Sequence, residues 1–434
     1  MTTAGLLLYD LLKGTHVRST MRFLDESQHW ELEKLEAYQL SKLKVLLESA
    51  SSNVPFYNDL YKKENIDIDR IKDFRNLNKL PVLSRDMTMA ADESLLSEKI
   101  NLKQCKIGRT GGTTGPPLRI IRDTETRSWS LAAYYRFYNW MGVEPGMPEV
   151  ELWGSSEMRN QKSDVRNQML NKINKFRSYN TFSFNDAYLK KLVSDLQKHK
   201  PKLIRGYLSA IILLADYIKR NNIKGLKPVA ISSTSETLFP QYRKMIEEIF
   251  EAPLFNQYGC GECNSIAFEC KEHNGLHIAS EHCILENDEN NNLIVTNLDN
   301  TSQPFIRYRN GDVGLITNKA CACGNSSPRL ISLEGRKNEN IILKDGASVN
   351  GIFFANLLDE AGFVNTSKML RFQVVQDKKG EIEFRVEVNK EMYSKDVGML
   401  KDALTPFFDK VMVSQHQFLD PGPGGKFRYI ISQN

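Results

Sequence analysis

The feature that most constrains this chain is a run of alternating elements between residues 187 and 257. Residues 187–198 carry apolar positions at helical spacing and Lys202-Leu-Ile-Arg205 reads as a short strand. A helix over 208–220, a strand at Val229-Ala-Ile-Ser232, a helix over 240–250 and a strand at Pro253-Leu-Phe-Asn-Gln257 follow. Strands separated by helices in this way pair in parallel, because the helix carries the chain back to the starting edge. An α/β architecture with parallel-containing sheets and flanking helices follows. In such sheets ligands bind beyond the carboxyl ends of the strands. The segments standing there are Gly206-Tyr207-Leu-Ser209, Ser233-Thr-Ser235-Glu236-Thr237 and Tyr258-Gly259-Cys-Gly-Glu262, so three polar loops are expected on one rim.

Upstream, residues 31–50 place Leu32, Leu35, Leu43, Leu46 and Leu47 at helical spacing among charges, and Ser49-Ala-Ser-Ser-Asn53-Val-Pro55 ends that amphipathic helix. After about residue 334 the pattern changes. Met369–Val375 and Glu381–Val388 alternate apolar and polar around Asp377-Lys-Lys-Gly380, which predicts a hairpin, with a helix over 392–408 and a strand over 410–418. The expected organisation is a large domain, 1–334, and a small mobile α+β domain, 335–434. The latter carries a Pro/Gly-rich loop, 421–425, that presents Lys426.

Charge and cysteine usage narrow the function classes. The chain has 58 Lys+Arg against 53 Asp+Glu, a net charge of +5 over 434 residues with no long basic block, so no nucleic-acid footprint is present. The apolar stretch 5–12 is far shorter than the roughly 20 residues of a membrane span and contains Asp10. No signal-peptide pattern accompanies it, and a cytoplasmic location is expected. Residues 5–24 read as a helix packed on its own domain, or alternatively one lying on a membrane surface. Seven cysteines, an odd number, argue for a reducing compartment rather than a disulfide framework. Neither a Gly-x-Ser-x-Gly elbow nor a Gly-x-Gly-x-x-Gly fingerprint occurs, so hydrolase and dinucleotide chemistry have no support.

Thr110, Gly111, Gly112, Thr113, Thr114 and Gly115 lie between the apparent strands Cys105–Ile107 and Leu118–Ile121. Glycines let backbone N–H groups approach an anion and threonine hydroxyls add donors, which suits a polyphosphate. The loop lacks the Gly-Lys-Ser/Thr ending and the strand-to-helix setting of a Walker loop.

Taken in order, six segments resemble the core motifs of the adenylate-forming superfamily of acyl-CoA synthetases, adenylation domains and luciferases. They are Thr-Gly-Gly-Thr-Thr-Gly-Pro-Pro (110–117), Ser-Thr-Ser-Glu-Thr (233–237), Tyr-Gly-Cys-Gly-Glu (258–262), Tyr-Arg-Asn-Gly-Asp (308–312), Gly-Arg-Lys-Asn (335–338) and Gly-Gly-Lys (424–426). The nearest branch is that of phenylacetate-CoA ligase and its capsular-polysaccharide-biosynthesis relatives. The resemblance implies that a carboxylic acid is activated with ATP and Mg²⁺ and the acyl group passed to coenzyme A. It assigns the β/γ-phosphates to the threonine loop, Mg²⁺ to Glu262 and the ribose hydroxyls to Asp312. Ser233, Ser235, Glu236, Tyr258 and Gly259 surround adenine, and Arg336 follows the nucleotide. Lys426 stabilises charge developing on the reacting oxygens, as the joining of two anions requires. The small domain would close for adenylation and swing away afterwards, with Asn338 in the hinge. Two departures stand out: Pro116 where the family loop often has lysine, and Asn338 in place of the usual hinge acid. Trp153 and Tyr207 are expected either at the acyl pocket or in the core.

Cys270, His277, Cys321 and Cys323 form a Cys₃His set suited to a structural Zn²⁺, with Cys263, Cys283, His273 and His282 as alternative donors. The phenylacetate-CoA ligase branch carries a similar pattern. Two other readings stay open: an amide ligase that passes the acyl group to an amine such as an amino sugar of a surface polysaccharide, and a zinc-stabilised nucleotide-binding module without catalysis.

Overall fold

The computed structural model describes residues 3–109, 117–154, 171–181, 184–336, 340–363, 369–422 and 426–432. It divides into two compact units, one of residues 1–147 with 255–333 and one of residues 148–254 with 334–434.

In the second unit the expected alternation is realised. Helices Leu208–Arg220 and Pro240–Phe250 occupy the expected ranges, and strands Leu203–Tyr207 and Ala230–Thr234 lie within two residues of theirs. Four strands form a parallel array in the order Ala230–Thr234, Leu203–Tyr207, Glu149–Trp153, Phe176–Asn180. Helix Leu208–Arg220 is apolar almost all round, with Leu208, Ile211, Ile212, Leu214 and Ala215 buried, as a helix in a closed core must be. Gly206 lies so close to the neighbouring strand that a Cβ would come within 2.8 Å of Leu152 Cβ, so only glycine fits this parallel pair.

Residues 334–434 belong to the same unit and have a four-stranded sheet of their own, in the order Lys410–His416, Glu381–Glu387, Arg371–Lys378, Ile430–Ser432. The expected hairpin is its centre, antiparallel and turning at Gly380, φ +76°. The outer strands both pair in parallel, and Ile430–Ser432 was not legible from three residues. Helix Ser394–Leu404 is shorter than the expected 392–408; Pro406, two residues past its end, has no N–H with which to continue the helical ladder. Phe354, Phe372, Phe384 and Phe408 fill the core, and Phe372 stacks on Phe384 at 5.6 Å. Phe239, at the start of helix Pro240–Phe250, continues this cluster, 6.0 Å from Phe372 and 4.9 Å from Tyr429.

The first unit combines N-terminal helices with antiparallel strands. Helix Leu32–Asn53 outruns the expected end, and Pro55 opens the next helix, Pro55–Lys63, where its missing N–H costs nothing. Helix Val17–Ser27 buries Val17, Met21 and Leu24, with Phe23 edge-on to Trp129, so it packs on its own unit. Helix Thr3–Lys13 buries Leu6 and leaves Leu11 exposed. Among the described residues no helix is long and apolar enough to cross a membrane. The strands run in the order Cys283–Asn287, Asn292–Asn297, Tyr308–Thr317, Arg329–Arg336, Leu276–Ile278, Ala267–Glu269 and Leu254–Tyr258. Strands Lys106–Arg109 and Arg119–Arg122 form a separate antiparallel pair, with Arg109 opposite Arg119.

Gly206→Ala should destabilise the second unit by about 2–3 kcal/mol, since the clash involves main-chain atoms of a buried strand that cannot move aside cheaply. The urea midpoint of the full chain reads this; an unchanged midpoint would contradict the packing described.

Candidate active site

The strand Tyr308–Thr317 and the loop after Leu254–Tyr258 supply two carboxylates in the first unit. Tyr258 OH donates to Asp312 Oδ2 at 2.7 Å, and Asn310 Nδ2 donates to the same hydroxyl oxygen at 2.6 Å. The backbone turns at Gly311, φ +88°, and the Asp312 N–H donates to Asn310 Oδ1 at 3.0 Å. Asp312 is therefore held at one oxygen by a buried phenol. Burial, reinforced by the Asp312 charge, pushes the Tyr258 hydroxyl well above its ordinary pKa, so it remains a donor.

Glu262 is buried, and its Oε1 accepts from Tyr308 OH at 2.7 Å. Burial followed by the Glu262 charge raises the Tyr308 hydroxyl as well. The loop around it is braced at carbonyls: Arg122 Nη2 donates to Gly261 O at 2.6 Å and Asn297 Nδ2 to Glu262 O at 3.3 Å. Burial lowers the Arg122 guanidinium, with the nearby Glu262 carboxylate acting against it. Gly259 admits no side chain, because a Cβ would stand 2.9 Å from Ser265 N. Tyr308 caps one oxygen of Glu262 and the second remains to meet a cation, so the donor chemistry suits the hard oxygen coordination of Mg²⁺.

In the second unit, Ser233 is buried at the end of strand Ala230–Thr234, and the chain turns at Ser235 with φ +71°. Glu236 meets the loop after strand Leu203–Tyr207: its Oε2 accepts from Ser209 N at 2.6 Å and its Oε1 from Ser209 Oγ at 2.9 Å. Oε1 also accepts from Phe427 N at 2.8 Å, beside Lys426. Trp153 and Tyr207 stack at 4.4 Å, and Tyr207 OH donates to Gly154 O at 3.2 Å. Tyr207 is buried and Trp153 partly so, and both belong to the core of the second unit.

Thr110, Gly111, Gly112, Thr113, Thr114, Gly115, Pro116, Asn338, Gly424 and Gly425 lie outside the described residues, as does the side chain of Arg336 at the end of its strand. Sequence reasoning missed Tyr308, Arg122, Ser209 and Phe427. Tyr308 and Phe427 stand inside or beside the recognised motifs and Ser209 in one of the three segments expected on the rim, whereas nothing local marks Arg122.

The Cys₃His set comes together. The ligating atoms of Cys270, His277, Cys321 and Cys323 all lie within 4.8 Å of one another. Sulfurs about 2.3 Å from a tetrahedral Zn²⁺ stand about 3.8 Å apart. Cys270 and Cys321 Sγ are 3.8 Å apart, and Cys323 Sγ is 3.2 Å from His277 Nε2. Ser327 O, which can only accept, lies 3.3 Å from His277 Nδ1, so Nδ1 carries the proton and Nε2 presents its lone pair. Burial pushes His277 down to about 4, leaving the ring neutral at pH 7. The alternative donors serve elsewhere. His282 spends Nε2 on Asn264 O at 2.8 Å and Nδ1 on Asp299, which also pairs with Lys42. His273 pairs with Glu269 at 3.3 Å. Cys263 and Cys283 are buried away from the cluster, with Cys283 Sγ directed at main-chain carbonyls.

No protein-family model matches the sequence. The chain is 27% identical to Protein CapK of Staphylococcus aureus over 394 residues, covering 88% of this chain and 85% of that protein. It is 22% identical to phenylacetate-coenzyme A ligase of Thermus thermophilus over 428 residues, 92% of this chain and 90% of that one. Its fold is similar to 2-hydroxyisobutyryl-CoA ligase in the postadenylation state with 2-HIB-AMP, at a TM-score of 0.75 and 17% identity, with 94% of this chain and 92% of that chain covered. The same ligase with 2-HIB-AMP and CoA in the thioesterification state gives a TM-score of 0.62 at 18% identity, covering 94% and 91%. The chain thus has the fold of the adenylate-forming ligases, the superfamily its ordered motifs resemble. Its sequence relatives include CapK and phenylacetate-coenzyme A ligase, in line with the branch those motifs resemble.

The Cys₃His geometry predicts about one zinc per chain in protein purified without chelator. Cys321→Ser with Cys323→Ser should abolish binding and lower the melting temperature; stable wild-type protein devoid of zinc would sink the assignment.

Proposed function

We propose that this protein is an ATP- and Mg²⁺-dependent ligase that joins a carboxylic acid to AMP and then transfers the acyl group to coenzyme A. The observation that carries the reading is the fixing of two carboxylates, Asp312 and Glu262, by the hydroxyls of Tyr258 and Tyr308 within the motif segments. Asp312 has the acceptor oxygens a ribose diol needs. Glu262, capped on one oxygen, suits a hard cation that would offset phosphate charge. A substrate carboxylate oxygen attacks the α-phosphorus, the bond to the bridging oxygen breaks, and pyrophosphate leaves. Attack of the coenzyme A sulfur on the acyl carbon then expels AMP, and the thiol proton passes to solvent. Lys426 supplies positive charge to the oxygens that gain charge in the first step. Residues 335–434 act as the mobile lid that carries it, with Asn338 in the hinge. Ser233, Ser235, Gly259 and Arg336 line the nucleotide, the loop 110–116 holds its phosphates, and Trp153 with Tyr207 forms one wall for the acyl group. A cytoplasmic setting suits the seven unbridged cysteines.

The resemblance of the motifs to the capsular-polysaccharide branch, with 27% identity to CapK, supports a second reading of the acceptor, an amine such as an amino sugar that would give an amide. Pyrophosphate release should be measured with ATP, Mg²⁺ and a panel of aromatic, fatty and amino acids, each with coenzyme A, with an amino sugar, or with neither. Acid-dependent release is expected, and the acceptor that accelerates turnover names the second step; nucleotide binding with no release for any acid would favour a binding module. Lys426→Ala should lower acyl-AMP formation by roughly 10²–10³-fold while leaving ATP binding within a few-fold. An equal loss of binding would remove its assigned role.

A further inference from the structure

Glu236 joins two parts of the second unit that are far apart in sequence. One is the strand end that carries Ser209, and the other is the C-terminal segment that carries Lys426. Ser209 lies in the first turn of helix Leu208–Arg220, where backbone N–H groups lack partners within the helix and favour a carboxylate. That accounts for the bond from Ser209 N, and the hydroxyl of the same residue supplies the second of the three. The third, from Phe427 N, does nothing for the helix and spans 191 positions of sequence.

Phe427 is firmly seated. Its ring is buried, 5.0 Å from Tyr429, with the Arg371 guanidinium 4.2 Å above it. Arg371 Nε donates to Glu387 Oε2 at 3.0 Å and Nη2 to Leu419 O at 3.0 Å, so the cation over the ring is fixed in turn. The amide that Glu236 binds is therefore anchored in the small sheet, and one peptide separates it from Lys426. The contact between Phe239, Phe372 and Tyr429 brings the two segments together without fixing their register, since apolar contact is non-directional. A bond between a carboxylate and a main-chain N–H is directional.

We propose that Glu236 is a positioning residue, an acceptor latch on the Phe427 amide that sets Lys426 against the 233–237 loop for adenylation and must let go before acyl transfer. The proposal rests on the ligase reading above. Every partner of Glu236 here is a donor, so the side chain must offer oxygen on both arms. Burial pushes the Glu236 carboxyl above its ordinary range, and the bonds from Phe427 and Ser209 pull it back. Glutamine keeps the length but turns an NH₂ toward N–H or O–H donors, and the bond lost or weakened is charge-assisted.

The test uses the full chain and variants Glu236→Gln and Ser209→Ala, the latter removing only one donor from Oε1. Backbone amide exchange in peptides covering 426–432 is followed without substrate. ATP–pyrophosphate exchange then reads adenylation, and thioester formation from supplied acyl-AMP reads the second step. In Glu236→Gln, exchange of the Phe427 amide should speed up about 10-fold or more and adenylation should fall about 10- to 100-fold, with KM for ATP nearly constant. Thioester formation from acyl-AMP should not slow. Ser209→Ala should shift both readouts in the same direction by less. Unchanged exchange at 426–432 would overturn the latch, and so would a parallel fall in the two half-reactions, which a merely structural role would give. Because exchange is read without substrate, a wild-type chain that adenylates no acid would remove the ligase reading through a separate measurement.

Discussion

The structure depends on supplying partners to carboxylates that it takes away from bulk water. An ionised carboxylate taken out of water without partners costs several kcal/mol, so each must meet donors or cations already held in place. Glu262 meets Tyr308, Asp312 meets Tyr258, and Glu236 meets Ser209 and Phe427. The same rule operates away from the site, where Glu281 accepts from Arg136 at 2.7 and 3.1 Å and from Ser27 at 2.6 Å. In every pair except Glu262–Tyr308 and Tyr258–Asp312 the partner is a cation or a main-chain or serine donor. Those two phenols are kept protonated by burial itself, and a buried tyrosine is thereby a donor that does not add charge. Under the proposed function these are the two acids that would meet a ribose and a metal ion.

The Cys₃His cluster addresses a different difficulty. Cys321 and Cys323 lie in a stretch between strands Tyr308–Thr317 and Arg329–Arg336 that has no regular hydrogen-bond ladder of its own. Arg329 donates to Lys319 O at 3.1 Å and to Ala320 O at 3.3 Å, and Ile278 N donates to Pro328 O at 2.8 Å, so the stretch is tied down at its two ends. A metal bound to Cys270 and His277 on one side and to Cys321 and Cys323 on the other would close a loop of about 50 residues, which lowers the entropy of the unfolded chain. His277 is already oriented for this, with its proton committed to Ser327 and its ring edge-on to Trp140 at 5.9 Å.

Legibility in the sequence followed how local each signal was. Helices Leu208–Arg220 and Pro240–Phe250 were placed to the residue because apolar spacing and a proline start are written within one segment. The strand Ile430–Ser432 was missed because three residues carry no periodicity, and its pairing with Arg371–Lys378 involves chain more than fifty positions away. Helix Leu32–Asn53 was cut short by reading serines and an asparagine as a stop, although main-chain bonding within the helix outweighs their modest propensity cost. At the site, the motif residues themselves were recognisable by type and order. Their hydrogen-bond partners were not, because Arg122 and Ser209 gain meaning only from what stands opposite them.

The sequence by itself determined the α/β alternation, the ordered motifs and the eight cysteines and histidines from which a metal site could be drawn, since each rests on residue type and spacing along the chain. Only the tertiary structure decided which of eight candidate cysteines and histidines converge, which hydroxyl holds which acid, and that Glu236 faces the amide beside Lys426. These are distances between residues from about 50 to nearly 200 positions apart, and a linear pattern carries no record of them until packing brings the segments together.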